Sequence, residues 1–369
     1  MRFSVSRETL LKPLQMVGNI VERRQTKPVL FNVLIQVSDQ NMELTATDME
    51  LEMAASIELD VAEAGEITVP ARKFTDICKA LPDGAQIEVN LDYELQRLVV
   101  RSGRSRFNLS TLPANQFPNL ENIETIEKFQ VPQKLLKSLI EATHFAMALQ
   151  DIRFYLNGML LELDHKSLRT VATDGHRLAL AERNIDISPD QLLRVILPRK
   201  GVLELAKLLD HVDSLVDVEI GKNHLRVVDD KFRFTTKLVN GKFPEYQGVI
   251  PKDGDRTINV ERHVIHDALA RTAILSNEKY RGIRIRAANN LLQASAHNPE
   301  REEAEEEIEV ELFGPDLETG YNVNYLLDAL NNISVENVTL KMGGESNSCV
   351  IDVPQDDGRN LYVIMPMKL

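Results

Sequence analysis

The sequence predicts an α+β chain made of three copies of one domain, each with two helices and antiparallel sheets. Three observations carry that expectation: a length of 369 residues, openings that recur at offsets of 126 and 129 residues, and period-two apolar alternation interrupted by short helical stripes. The length suits two or three domains of roughly 100 to 200 residues. Copies of this size far exceed the roughly 20 to 50 residues of a solenoid unit, so each can hold its own core.

Each copy opens with a short strand and then a helix. Phe3-Ser4-Val5 precedes Ser6-Arg7-Glu8-Thr9-Leu10, Phe129-Gln130-Val131 precedes Pro132-Gln133-Lys134-Leu135-Leu136, and Ile258-Asn259-Val260 precedes Glu261-Arg262-His263-Val264-Ile265. In that register Leu10, Leu136 and Ile265 coincide, and Leu14, Ile140 and Leu269 follow four residues later on the same helical face. Proline inside a helix costs about 3 kcal/mol, so a bend is expected at Pro13.

The second shared motif is Thr45-Ala46-Thr47-Asp48, Val171-Ala172-Thr173-Asp174 and Ser295-Ala296-His297-Asn298, reached through alternating strands such as Val33, Ile35, Val37 and Met159, Leu161, Leu163. The third is Ile67-Thr68-Val69-Pro70-Ala71-Arg72-Lys73, Val195-Ile196-Leu197-Pro198-Arg199-Lys200 and Tyr321-Asn322-Val323-Asn324-Tyr325. Proline after a strand suits the first turn of a second helix. Its expected buried stripe is Phe74, Val202 and Leu326, then Cys78, Ala206 and Leu330. Strands around Arg106-Phe107 to Phe117-Pro118, Arg233-Phe234 to Phe243-Pro244, and Leu361 to Pro366 close the copies. Turn-rich or charged stretches, Pro118-Asn119-Leu120-Glu121-Asn122 and Pro251-Lys252-Asp253-Gly254-Asp255, set domains at 1–126, 127–255 and 256–369.

A formal charge of −13 argues at face value against nucleic acid, whose binders carry a basic excess. The charge is unevenly spread. Helices predicted over 6–22, 71–81, 132–148, 199–210, 261–275 and 324–333 total +3, leaving −16 elsewhere. Glu300 to Glu311 holds eight Glu and one Arg, a composition that suits a solvated face. Against it stand Arg97, Arg101, Arg104 and Arg106 in an equally strand-like part of copy one. An acidic edge and a basic edge suit a head-to-tail joint, and such joints close a ring or grow a filament.

No stretch approaches the roughly 18 uncharged apolar residues that span a bilayer. Arg2, Arg7 and Glu8 stand where a signal peptide is apolar, so a soluble, cytoplasmic protein is expected. Cys78 and Cys349 lack companions in metal-ligand spacing and read as small core residues. Neither metal nor cofactor is expected.

Thr173-Asp174-Gly175-His176-Arg177 sets a carboxylate beside an imidazole, a pairing used in acid–base catalysis. Its counterpart Asp48 is followed by Met49-Glu50-Leu51 without histidine, so the aspartate reads as closing a turn in both copies. Gly175-His176-Arg177-Leu178 is peculiar to copy two and points to a binding surface there. A hydrolase using Asp174 and His176, and a scaffold without DNA, are the competing readings. The methionine-rich end from Val363 to Leu369 suits either a strand tucked into a core or an adaptable peptide groove. Arg23-Arg24-Gln25-Thr26-Lys27, and Gln150-Asp151-Ile152-Arg153-Phe154-Tyr155 in the matching place of copy two, offer cations and aromatics suited to nucleic acid.

Leu10-Leu11-Lys12-Pro13-Leu14-Gln15, Val69 to Phe74, Arg101 to Phe107, Tyr155-Leu156-Asn157-Gly158-Met159, Ala172 to Leu178, Ile274 to Lys279 and Met365-Pro366-Met367 carry a resemblance over the whole chain. The sequence resembles the bacterial β sliding clamps, processivity subunits of the DNA polymerase III holoenzyme. The resemblance implies a non-enzymatic, nucleoid-associated homodimer whose six domains encircle duplex DNA without reading its sequence, helices inward. Implied partners are the polymerase catalytic subunit, the clamp loader, and other polymerases and repair proteins bearing short linear motifs, with no membrane. By resemblance the dimer joint sets Lys73, Arg104, Arg106, Phe107 and Leu109 against Ile274, Leu275, Glu300, Glu302, Glu303 and Glu306. DNA-facing residues are Arg24, Arg72, Gln150, Arg153, Phe154, Tyr155 and Lys200. The partner groove takes Arg153, Tyr155, Leu156, Thr173, Gly175, His176, Arg177, Leu178, Pro244, Val249, Val363, Met365, Pro366 and Met367. Relatives often carry Tyr where this chain has Phe154, and a basic residue in place of Gly248.

Overall fold

The computed structural model describes residues 1–22, 24, 27–38, 40–59, 61–118, 120, 123–187, 189, 191–251, 254–343 and 348–368, the side chains of 61 and 62 excepted. Arg23, Gln25, Thr26, Asn119, Glu121, Asn122, Lys252, Asp253 and Leu369 of the stretches above lie outside the described residues. The chain divides into two compact units, Met1–Gln133 with Lys207–Leu238, and Lys134–Ala206 with Val239–Leu369.

In the first unit, α1 (Arg7–Gly18) packs on α2 (Ala71–Ala80) and on the strands Asn41–Thr47 and Leu51–Glu58. Ser6 caps α1 by accepting the Thr9 amide, a bond worth about 1 kcal/mol. Leu10, Leu14 and Val17 are its buried stripe, and the helix runs through Pro13 without interruption. A five-stranded sheet ends on the edge strand Ser105–Ser110. An eight-stranded sheet joins four strands of copy one to four of copy two, through Leu51–Glu58 paired antiparallel with Phe232–Lys237 and Glu52 opposite Thr235.

The second unit repeats the plan. Most of α3 (Gln133–Glu141) and α4 (Arg199–Leu208) lies here, with Lys137 Nζ donating to the Ala206 carbonyl at 3.1 Å. Copy three supplies α5 (Arg262–Ala273) and α6 (Val323–Asn331), packed on each other. A nine-stranded sheet joins copies two and three through Arg177–Asn184 paired with Gly358–Ile364, Leu178 opposite Val363. A four-stranded sheet ends on Glu303–Glu309. Both large sheets are shared between copies, which is why the compact units cut across the repeat.

Three expectations shift. Pro70, Pro132 and Pro198 each end the strand before a helix instead of opening the helix. Pro70 holds a non-helical ψ of 107° as the N-cap residue of α2. In α4 the buried stripe is Val202 with Leu205, continued by Leu209 just past the helix end, while Ala206 is half-buried. The helices are also shorter than expected, since their frayed ends are not helical. At their observed bounds they carry +1, +2, +1, +2, +1 and −1, a clearer positive excess against −13 overall.

Candidate partner groove and sheet edges

The Thr-Asp motifs of copies one and two fold into the same turn. Asp48 Oδ1 accepts the amides of Glu50 and Leu51 at 2.8 and 2.7 Å, and Asp174 Oδ1 accepts those of His176 and Arg177 at 2.9 and 3.0 Å. Thr47 and Thr173 bond across the turn to the carbonyls of Leu51 and Arg177. The second oxygen of Asp174 accepts from Arg177 Nε at 3.1 Å, so the carboxylate is committed to structure and the hydrolase reading loses its base. Met49 and Gly175 occupy the matching left-handed position, at φ 81° and 89°. Gly175 has a further reason to lack a side chain: a Cβ there would lie 3.1 Å from the Arg153 guanidinium. That guanidinium is held by Asp151 at 2.8 and 3.0 Å, and the pairing keeps the Asp151 carboxyl down at about 2.

Behind this turn lies a buried apolar cluster on one face of the nine-stranded sheet. Leu160, Val171, Leu178, Leu180 and Ile196 meet Val350, Leu361 and Val363, with Phe243, Tyr246 and the half-buried Tyr155 packed on them. Of the expected groove residues, Tyr155, Leu178 and Val363 belong to this cluster, Leu156 is buried, and Thr173 is half-buried in the turn. Pro244 and Val249 are exposed, as are Gly175 and His176. Met365, Pro366 and Met367 are half-buried; the Met365 amide donates to the His176 carbonyl at 2.9 Å and its sulfur accepts from Ser348. Met365 is thus tied to the turn, whereas Met367 pairs with Gly320, to whose carbonyl its amide donates at 2.8 Å. The Arg177 guanidinium bonds Asp328 and the Phe145 carbonyl and lies over the rings of Tyr325 and Phe145, at 4.5 and 5.4 Å. It braces α6 rather than offering a free cation.

Sequence reasoning missed the polar foundation of this cluster. Glu162, 1% exposed, binds Arg169 and Arg194 at 2.7 Å each and accepts the Tyr246 hydroxyl at 3.1 Å. Burial, with that carboxylate beside it, pushes the Tyr246 phenol up to about 12. The apparent alternation of Met159, Leu161 and Leu163 assigns Glu162 to solvent, but the strand is buried on both faces. Phe243, by contrast, was signalled by its match to Phe117.

The two terminal sheets leave opposite edges. Arg104 and Arg106 are exposed at Ser105–Ser110, with Phe107 half-buried and Leu109 buried. Lys73 is exposed on α2. Along Glu303–Glu309, Glu303 is exposed, whereas Glu306 forms two 2.7 Å bonds with Arg271 of α5 that lower its carboxyl. Glu302 is engaged by Asn298, and Glu300 is exposed. Ile274 is 74% exposed just beyond α5, with Leu275 half-buried.

Family models for the N-terminal, central and C-terminal domains of the DNA polymerase III beta subunit match residues 1–121, 130–245 and 247–368. The chain belongs to the DNA polymerase III beta subunit family. It is 51% identical to the beta sliding clamp of Pseudomonas aeruginosa and 49% to that of Escherichia coli, each alignment covering 100% of both chains. A crystal structure of the Pseudomonas aeruginosa sliding clamp bound to griselimycin matches with a TM-score of 0.96 at 50% identity over the full length of both chains. The Bacillus subtilis clamp, only 28% identical, still matches at 0.94 over 100% of this chain and 99% of that one. As a sliding clamp, the chain is an α+β protein of three family domains that serves replication as a processivity factor, with DNA and polymerase as its partners, and not as a catalyst. No helix among the described residues is long and apolar enough to cross a membrane.

The residues expected to face DNA in a sliding clamp are distributed over both units. Arg24 and Arg72 are exposed in the first. In the second, Gln150 sits at φ 56° in a loop where Ile152 is 96% and Phe154 55% exposed, and Lys200 is half-buried at the start of α4. Arg153 in this loop is already paired with Asp151, which ties it to the groove rim.

Proposed function

We propose that two chains join head to tail through their terminal sheets and close around duplex DNA, with the domains 1–126, 127–255 and 256–369 as its six segments. The supporting observation is the strand pairing. Copies one and two are joined by Leu51–Glu58 with Phe232–Lys237, and copies two and three by Arg177–Asn184 with Gly358–Ile364. The third pair in this series is Glu303–Glu309 with Ser105–Ser110, each an end strand of its own sheet among the described residues, one acidic and one basic. In this reading the two edges, opposite in charge, satisfy each other's backbone groups across two chains.

In this assembly the weakly positive helices meet the phosphates. A closed ring holds DNA by topology, so few counterions need be released and sliding stays free. Arg24, Arg72, Gln150, Phe154, Tyr155 and Lys200 supply light contacts. The cluster around Leu178 and Val363, rimmed by Arg153, His176, Pro244, Val249 and Met365 to Met367, receives short apolar motifs of the polymerase catalytic subunit, the clamp loader and repair proteins. Modest affinity suffices, because a tether raises local concentration to the millimolar range. The protein works in the cytoplasm, on the nucleoid.

Clamp loaded on circular DNA should be retained and should be lost rapidly once the circle is cut; equal loss from both forms would sink the ring. Griselimycin, bound by the Pseudomonas aeruginosa relative, serves as the probe and is expected to enter the groove. It should bind once per chain, at least tenfold more weakly in Val249→Asp, whose site is exposed enough to leave the fold intact.

A further inference from the structure

The strand registers superpose the joint between copies one and two on the joint that carries the groove. Thr47 opposite Glu52 matches Thr173 opposite Leu178, and Glu52 opposite Thr235 matches Leu178 opposite Val363. Continuing outward, Val171, Leu178 and Leu180 correspond to Thr45, Glu52 and Ala54. On the facing copy, Val350, Leu361 and Val363 correspond to Arg226, Arg233 and Thr235. Every large aliphatic of these six is therefore exchanged for a polar, charged or small residue, although the sheet geometry is the same.

The exchange does more than alter polarity. Glu52, 1% exposed, accepts the Leu120 amide at 2.9 Å, while Arg226 donates to the Leu120 carbonyl at 2.9 Å and to Thr235 at 3.1 Å. Both backbone groups of one residue are thus clamped as the chain leaves copy one. Thr68, matching Ile196 of the groove, bonds the Leu112 backbone in the same segment, and Phe117 packs on Leu34. Arg233 is held by Glu43 at 3.0 Å.

We propose that Glu52 and Arg226, with Arg233 beside them, lock the connecting chain at Leu120 over this joint and so deny it to apolar peptide motifs, leaving one partner site per chain. The proposal rests on the groove reading above and assigns the specificity to residues far from that groove in sequence. Oε1 of Glu52 and Nε of Arg233 are buried without a hydrogen-bond partner among the described residues. Replacing the set with aliphatics therefore removes the poorly satisfied buried charge together and leaves Glu43, whose side chain is 27% exposed, to water, and such replacements are compatible with folding.

The test is a variant carrying the groove's own residues, Glu52→Leu, Arg226→Val, Arg233→Leu and Thr235→Val. By calorimetry it should bind two griselimycin molecules per chain where the parent binds one. Adding Val249→Asp should remove one of the two. A folded variant that stays at one equivalent overturns the proposal, whereas a parent site indifferent to Val249→Asp overturns the groove reading instead. The lock is also read without ligand. In Glu52→Leu alone, hydrogen exchange at the Leu120 amide should rise at least tenfold while that of Val69 is unchanged, and unaltered exchange at Leu120 overturns the lock.

Discussion

The hydroxyl of Tyr246 donates to the carboxylate of Glu162 across 3.1 Å, joining the apolar groove cluster to a buried ionic network. Glu162 is satisfied by two arginines and a phenol, so each partner removed takes one bond from a buried carboxylate.

Glu162→Ala should cost about 3–5 kcal/mol, because three charge-assisted bonds go at once, even though Arg169 keeps Glu182 and Arg194 keeps Glu245. Tyr246→Phe should cost about 1.5–3 kcal/mol, the range for a hydrogen bond to a charged group. Urea unfolding reads both; equal losses for the two variants would contradict the ordering.

Gly175→Ala meets two penalties, a left-handed backbone and the Arg153 guanidinium 3.1 Å from the new carbon. About 1–2 kcal/mol of destabilisation is expected. Much of it should vanish in the Arg153→Ala background, since the close approach is then gone, leaving the backbone cost alone. A double-mutant cycle measures this, and strict additivity would refute the contact.

Asp151 should titrate near 2 instead of its ordinary 3.8, as its pairing with Arg153 favours the ionised form. A carboxyl depressed by folding stabilises above its unfolded value, and that contribution disappears as pH falls through about 2. Carbon-detected NMR of the carboxyl should show the low midpoint, and Arg153→Ala should return it to the usual range.

Ile274→Arg places a cation on an exposed apolar position beside the acidic edge, at the proposed joint. Light scattering should give 41.7 kDa for this variant and twice that for the parent. The parent should also dissociate more readily at 1 M salt, where the screening length is about 3 Å. A variant that remains dimeric would remove Ile274 from the joint.

The threefold plan was legible because each copy repeats residues with a fixed physical job. Leu10, Leu136 and Ile265 are each buried at the matching helix position, and Asp48 and Asp174 close identical turns. Ala206 misled because the register of α2 was carried onto α4, whereas Leu205 and Leu209 suit the packing there better than a small side chain. Glu162 was hidden for a different reason. A lone acid in an apolar strand looks solvent-facing until the distant Arg194 and Tyr246 arrive to neutralise and bond it. The bracing role of Arg177 was hidden likewise, since Asp328 and Tyr325 lie about 150 residues away in sequence and only folding brings them to it.

Sheets shared between copies also make the copies poor candidates for excision. A break in the chain near residue 124 severs no strand of the eight-stranded sheet, yet it assigns Leu51–Glu58 to one fragment and Phe232–Lys237 to the other. Each fragment then carries a bare strand whose natural complement is on its counterpart, with Glu52 and Arg226 ready to fix the alignment. The clamp chain is in this sense a pre-formed split protein, and its pieces should find each other through the seam that the intact chain keeps closed.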